Sequence, residues 1–268
     1  MPPGWLVPDW PAPGGVRAVF TTRGEGPGEG ASVAPWDFLN LGDHVGDAPA
    51  AVSANRARLR RELGARPVFL RQVHGVAVAE LEESTPDGAT ADAAMTVRRG
   101  VACTILVADC LPVLLTDARG RAVAAAHAGW RGLAGGVLEQ TLKRFLALAG
   151  VDIAPSAINN EANEIIAWLG PCIGPHAFEV GAEVRAAFVA ADAGAGACFQ
   201  PLGGGKYLAD LAALARRRLA AQGVVRVHGN DGSAPWCTVT QRQRWFSHRR
   251  DQAVLGGSGR MAACIWRA

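Results

Sequence analysis

Lysine is nearly missing from this 268-residue chain: Lys143 and Lys206 are the only two, so the net charge of +3 is carried by arginine in an Ala/Gly-rich background. So small a surplus does not mark a nucleic-acid-binding surface. The clusters Arg56, Arg58, Arg60, Arg61 and Arg216, Arg217, Arg218 fall in Ala/Leu-rich stretches, where solvated helix faces account for them. The six cysteines contain no C-x-x-C pair, and free thiols in a reducing compartment are expected rather than disulfides. No stretch approaches the roughly 20 apolar residues of a membrane span. The N-terminal MPPGWLVPDWPAPGG has no apolar run behind a positive charge, so the expected location is the cytoplasm. No repeat of the roughly 20 to 50 residues that builds solenoids is present.

What is there is apolar: 49% of the residues are hydrophobic, enough to bury a large core in one domain spanning 1–268. Residues 1–15 read as irregular and 155–165, around the polar SAINNEANEI, as a surface insertion. VRAVFTTRG reads as a strand ending at Arg23. The Gly/Pro-rich GEGPGEGASVAPWDFLNLGDHVGD lacks the Lys-Ser/Thr ending of a phosphate loop and reads at most as an active-site loop. APAAVSANRARLRRELG reads as a helix, with Leu59 and Leu63 one turn apart and a stop at Gly64. Strands are expected at PVFLRQVHG, VAVAEL, ADAAMTV, VACTILVADC, PVLLTD, RAVAAAHAGW and IIAWLGPCIGP. RGLAGGVLEQTLKRFLALAG, HAFEVGAEVRAAFVAA and YLADLAALARRRLAAQG read as helices, and the C-terminal segment from Trp236 as strands around a turn.

Three of the apolar runs end on a soft-metal or nucleophilic residue: His74, Cys110 and His127. Neighbouring strands of one sheet lie about 4.8 Å apart, so such ends can meet in space. Two imidazoles and a thiolate suit Zn²⁺, and three protein ligands leave the open position of a catalytic site. Taken singly, Cys110 reads equally as a buried small hydrophobe and either histidine as a hydrogen-bonded core residue. The spacings match no compact zinc motif. Arg131 sits where a helix starts next to His127, a corner that favours an anion.

The segments RQVHG, ADA, ADCLPVLL, HAGWRG, GPCIGPHAFEVG, SHRRD and GRMAA, in this order from about Thr21 to the C-terminus, resemble the YfiH-type family. Its members are known as polyphenol oxidase or laccase-domain proteins and as purine nucleoside phosphorylases. The resemblance implies an α/β (α+β) fold of mixed sheets flanked by helices, related to a cysteine-hydrolase toxin fold. It also implies zinc on His74, Cys110 and His127, which are at once the catalytic set. The implied activities are phosphorolysis of adenosine, inosine, guanosine or methylthioadenosine, and deamination of adenosine. Some bacterial members resemble an editing factor for cell-wall precursors. The chain departs from the family in having His248 where a tyrosine is expected, in its altered loop after Arg23, and in SAINNEANEI; no departure removes a ligand.

Phosphorolysis calls for guanidinium groups around phosphate, and Arg23, Arg131 and Arg249 are the candidates. Asn40 and Asp92 are candidate polar contacts to substrate, with Asp92 or Asp109 suited to orient a ligand histidine. Cys172 is a candidate pocket residue and Glu179 a candidate acid/base. The expected partners are purine nucleosides and phosphate, with no nucleic acid or membrane, bound by a monomer. A metal-free cysteine hydrolase or amidase uses the same residues, with Cys110 as nucleophile and His127 or His74 as base. A ligand sensor is a further alternative. A four-copper laccase needs about ten histidines; this chain has six, which leaves copper only as an alternative occupant of the one site.

Overall fold

The computed structural model describes residues 1–24, 26, 28–150 and 164–268; most of the expected insertion at 155–165 lies outside them. Strand parity organises the molecule. β1 (Val16–Phe20), β2 (Arg66–Phe69), β5 (Val101–Val107) and β13 (Met261–Arg267) form a four-stranded sheet in the order β1-β13-β5-β2. β12 (Arg226–Gly229), β8 (Ile165–Leu169), β6 (Leu111–Asp117), β7 (Val123–Ala128), β4 (Ala93–Thr96) and β3 (Val78–Glu80) form a six-stranded mixed sheet in that order. Because side chains alternate along a strand, each sheet buries both faces. Cys103, Ile105 and Val107 of β5 and Met261, Ala263 and Ile265 of β13 pack with Val123 and Ala125 of β7 into one core between the sheets. Ala102, Leu106, Ala262 and Cys264 face the other way, onto Leu59 and Leu63 of α1 (Pro49–Leu63). Ala124, Ala126 and Ala128 of β7 face α2 (Trp130–Gly135) and α3 (Val137–Leu148), along with the later helices. The architecture is therefore helix, sheet, sheet, helix: a mixed α/β fold, as the sequence implied.

α1 starts on Pro49, whose fixed φ suits the first helical position, and stops at Gly64 with φ 60°. The helix expected after His127 is broken in two, because Gly136 at φ 96° ends α2 and begins α3. Two further expected helices each begin with a strand. β9 (Glu179–Gly181) precedes α4 (Ala182–Val189), and β11 (Lys206–Ala209) precedes α5 (Leu211–Ala221). With β10 (Phe199–Gly203), reached through a short 3₁₀ turn, they form a small sheet in the order β10-β11-β9. The C-terminal segment read as strands holds the helix α6 (His248–Leu255), capped by the Ser247 hydroxyl, before β13.

Several arginines of the two clusters are held by the fold, while Arg60 and Arg61 are exposed as expected of a solvated helix face. Arg216 donates to the carbonyls of Val227, Gly229 and Asn230. Arg217 pairs with Asp192 and Arg218 with Glu139. Arg56 lies over the Phe69 ring and donates to the Leu41 carbonyl.

Candidate metal and active site

His74, Cys110 and His127 do converge, but from two sheets rather than from neighbouring strands of one. His74 lies five residues past the end of β2, on a loop, with φ 60°. Cys110 sits where the chain crosses from β5 in one sheet to β6 in the other, just after Asp109 at φ 85°. His127 is within β7 and shares the parity of Val123 and Ala125, so it stands at the end of the core between the sheets. The ligand atoms of the three lie within 4.8 Å of one another, and Cys110 Sγ is 3.7 Å from His74 Nε2. Metal bonds of about 2.0–2.3 Å arranged as a tetrahedron require ligand separations of roughly 3.4–3.8 Å. The donor set, and the separation of Cys110 from His74, therefore fit a borderline-soft divalent metal.

A buried carboxylate, Asp92, fixes this geometry. It accepts the backbone N–H groups of Val73, His74 and Gly75 at 3.1, 2.8 and 2.7 Å, and His127 Nδ1 lies 2.8 Å from Oδ1. With Nδ1 donating to Asp92, His127 presents Nε2 to Cys110. Burial alone would push the Cys110 thiol up, but the charge of His127 and hydrogen bonds from His127 and His74 outweigh it and bring it down to about 6. Burial would push His127 down; the Cys110 charge and Asp92 instead hold it up at about 9. Gly129 leaves room for the cluster, since a Cβ there would lie 2.8 Å from His74 Cδ2 and 2.9 Å from Cys110 Sγ. Gly129→Ala is accordingly expected to lower metal affinity roughly 10- to 100-fold, read as metal content after dialysis against a competing chelator.

The cluster lines a cavity of about 480 Å³, within the size range of small-molecule sites. Leu106, Ile173, Phe178 and Trp130 give it apolar walls, while Arg131, Arg249 and Arg260 bring positive charge.

A family model described as multi-copper polyphenol oxidoreductase laccase matches residues 17–268. The chain belongs to this family, the YfiH-type laccase-domain proteins. Its curated relatives include a purine nucleoside phosphorylase of Pseudomonas aeruginosa, 49% identical with 98% of each chain covered. Another is the purine nucleoside phosphorylase YfiH of Escherichia coli, 47% identical over 97% of this chain and 98% of the relative. Among solved structures, the Neisseria meningitidis protein NMB0706 superposes with TM-score 0.86 at 43% identity, covering 98% of this chain and 99% of that one. YlmD from Geobacillus stearothermophilus has the same TM-score at 29% identity, covering 100% and 97%.

In this YfiH-type chain the residues singled out from sequence divide into three groups. Arg131 and Arg249 line the cavity with His74, Cys110 and His127. Asp92 and Asn40 act from behind it: Asn40 is buried, takes the backbone N–H groups of Gly42 and Arg260, and donates to Asp47. Arg23, Cys172 and Glu179 are not brought to the cavity. The Arg23 guanidinium is committed to Asp37 and to the carbonyl of Arg242, and lies over the Phe246 ring. Cys172 is buried against Asn230, and its neighbour Ile173 lines the wall instead. Glu179 pairs with Lys206 at 2.6 Å on the surface. His44, His248 and Arg260 line the cavity without having been assigned a role from sequence. His44 comes from LNLGDHVGD, within the segment expected at most as an active-site loop, and Arg260 from GRMAA, a motif to which the sequence attaches no function.

Proposed function

We propose that this protein is a zinc-dependent purine nucleoside enzyme. It phosphorolyses adenosine, inosine, guanosine or methylthioadenosine to the free base and a pentose 1-phosphate, and deaminates adenosine to inosine. The observation that carries the reading is the convergence of His74, Cys110 and His127 in an arginine-bearing cavity with apolar walls, in a chain whose close relatives bear the name purine nucleoside phosphorylase. Zinc held by these three residues would supply a Lewis acid that makes water nucleophilic near neutral pH. Asp92 keeps both imidazoles aimed, and the lowered thiol of Cys110 gives a thiolate ligand at little cost. The aromatic and aliphatic walls suit the face of a purine, and arginine forks suit phosphate. No described helix is long and apolar enough to cross a membrane. We also infer a single-domain monomer that works in the cytoplasm on small molecules rather than nucleic acid.

The test is incubation of purified protein with adenosine and phosphate, followed by chromatography of adenine, inosine and hypoxanthine. Appearance of these products in a metal-dependent manner is the expected result; unchanged adenosine overturns the reading. A second reading is favoured by one observation: Cys110, His127 and Asp92 also form a nucleophile, base and orienting carboxylate, the arrangement of a cysteine hydrolase or amidase. Full activity in protein stripped of metal would select it. Copper suits the same donors, so the metal content of protein purified without added metal decides the occupant. A laccase with four coppers is not supported by six histidines.

A further inference from the structure

The arginines at the cavity are held in different ways. Arg131 is exposed and lies over the Trp130 ring, 4.4 Å from its centroid. Arg249, also exposed, donates through Nη2 to the carbonyl of Glu179 at 3.1 Å. Arg260 is half-buried, and among the described residues no carboxylate forms an ion pair with it. Its Nη1 donates to the carbonyls of Ser258 and Gly259 at 2.9 and 3.0 Å. A guanidinium carries five N–H donors, and those on Nη2 and Nε find no acceptor among the described residues.

The negative groups that act on Arg260 are Cys110 and Asp109. Asp109 is already occupied: Oδ1 accepts from the Thr238 hydroxyl at 2.5 Å and Oδ2 from the Arg249 backbone N–H at 2.6 Å. Cys110 belongs to the candidate metal centre, where a cation would take up its charge. What remains is a cation largely withdrawn from water, facing a cavity, with one edge unused. The donors of that edge stay unsatisfied unless an acceptor joins them, and an anion suits their charge. The Nε/Nη2 edge offers the parallel pair of donors that matches two oxygens of a tetrahedral oxyanion. Its position is fixed from both sides. The backbone N–H donates to Asn40 Oδ1 at 2.8 Å, and Gly42 lets the side chain pass, since a Cβ there would lie 2.7 Å from Arg260 Cγ.

We propose that Arg260 anchors the phosphate in this cavity, with Arg131 and Arg249 closing over it from the rim. The inference rests on the purine nucleoside reading of the same site and adds which cation receives the second substrate. In phosphorolysis a phosphate oxygen bonds to the anomeric carbon as the bond from that carbon to the purine nitrogen breaks. The purine takes the electron pair of the broken bond and the proton that hydrogen phosphate carried. Arg260 makes and breaks no covalent bond in this step; it holds the dianion in place.

The experiment is calorimetric titration of inorganic phosphate into wild-type protein and R260A, paired with phosphorolysis of adenosine at varied phosphate. R260A is expected to raise both the phosphate Kd and the phosphate KM roughly 10- to 100-fold. R260K, which keeps the charge and loses the fork, is expected to fall between, and R131A and R249A to have smaller effects. If R260A does not fold, as judged by circular dichroism, R260Q takes its place. Phosphate constants that stay within about twofold of wild type in the neutral variant overturn the proposal, as does a loss carried by R131A or R249A instead. Wild-type protein that binds no phosphate overturns it too. Wild-type protein that binds phosphate through Arg260 yet releases no purine supports the anchor and overturns the nucleoside reading.

Discussion

Cys110→Ala is expected to remove every product of adenosine, with turnover falling roughly a thousandfold or more. Two independent arguments lead to the same loss. As a ligand, Cys110 is the only anionic donor of the His74, Cys110, His127 set, and two neutral imidazoles alone hold a divalent metal weakly. As a nucleophile, its thiol is the group brought down to about 6 by the adjacent histidines, and alanine offers nothing in its place. Misfolding is not expected to cause the loss, because alanine is smaller than cysteine and Cys110 is only half-buried. Metal content separates the two roles. Loss of metal together with activity identifies a ligand; retained metal with lost activity identifies a nucleophile. A variant with wild-type rates removes the cluster from catalysis altogether.

The three cluster residues were legible because each closes an apolar run, and a buried run has to end where the chain meets solvent or a cavity. How they meet was not legible. Period-two alternation identifies a strand but not the sheet it joins, and β2 and β5 belong to one sheet while β7 belongs to the other. The misread helices have a common cause. HAFEV and KYLAD each place a short strand directly before a true helix, and with so few residues the strand's alternation merges into the helical pattern that follows. The α6 segment failed for the opposite reason. Its polar SHRRDQ carries little apolar periodicity, and its helical character comes from the Ser247 cap on the Arg250 N–H and from Asp251 turned back to the Ser247 N–H.

Around the site, residues were legible in proportion to their distinctness. Arg131 beside HAGW and Arg249 in SHRRD stand in marked segments and do reach the cavity. Arg23 stands in one as well, yet the chain folds its guanidinium onto Asp37. His44 and Arg260 reach the cavity through Asn40, whose side chain ties residues 40–47 to the start of β13 across more than 200 positions of sequence. No local pattern encodes a contact of that separation.

Asp92→Ala is expected to destabilise the fold by about 3–5 kcal/mol, since it strips a fully buried carboxylate from its partners. The His127 ring would lose its acceptor in a buried place, and three part-buried backbone donors at 73–75 would lose theirs as well. Asp92→Asn is the more informative change. It keeps the shape, but one of its two positions becomes an N–H group facing N–H groups, at a cost of about 1–3 kcal/mol. Both imidazoles lose part of their alignment, so metal affinity should drop roughly 10- to 100-fold. The pH dependence gives an independent readout. Burial raises the Asp92 carboxyl, but hydrogen bonds from His127, Gly75 and Val73 outweigh it and hold it below its ordinary value. A carboxyl depressed in the folded state stabilises the fold above its unfolded pKa, and that contribution disappears as the pH falls through the folded pKa. Urea denaturation should therefore show the gap between wild type and D92N at neutral pH, narrowing in acid as the wild-type carboxylate takes up its proton. A gap that is constant across that range, or a D92N protein with wild-type metal content, would show that Asp92 does not hold the two histidines in place.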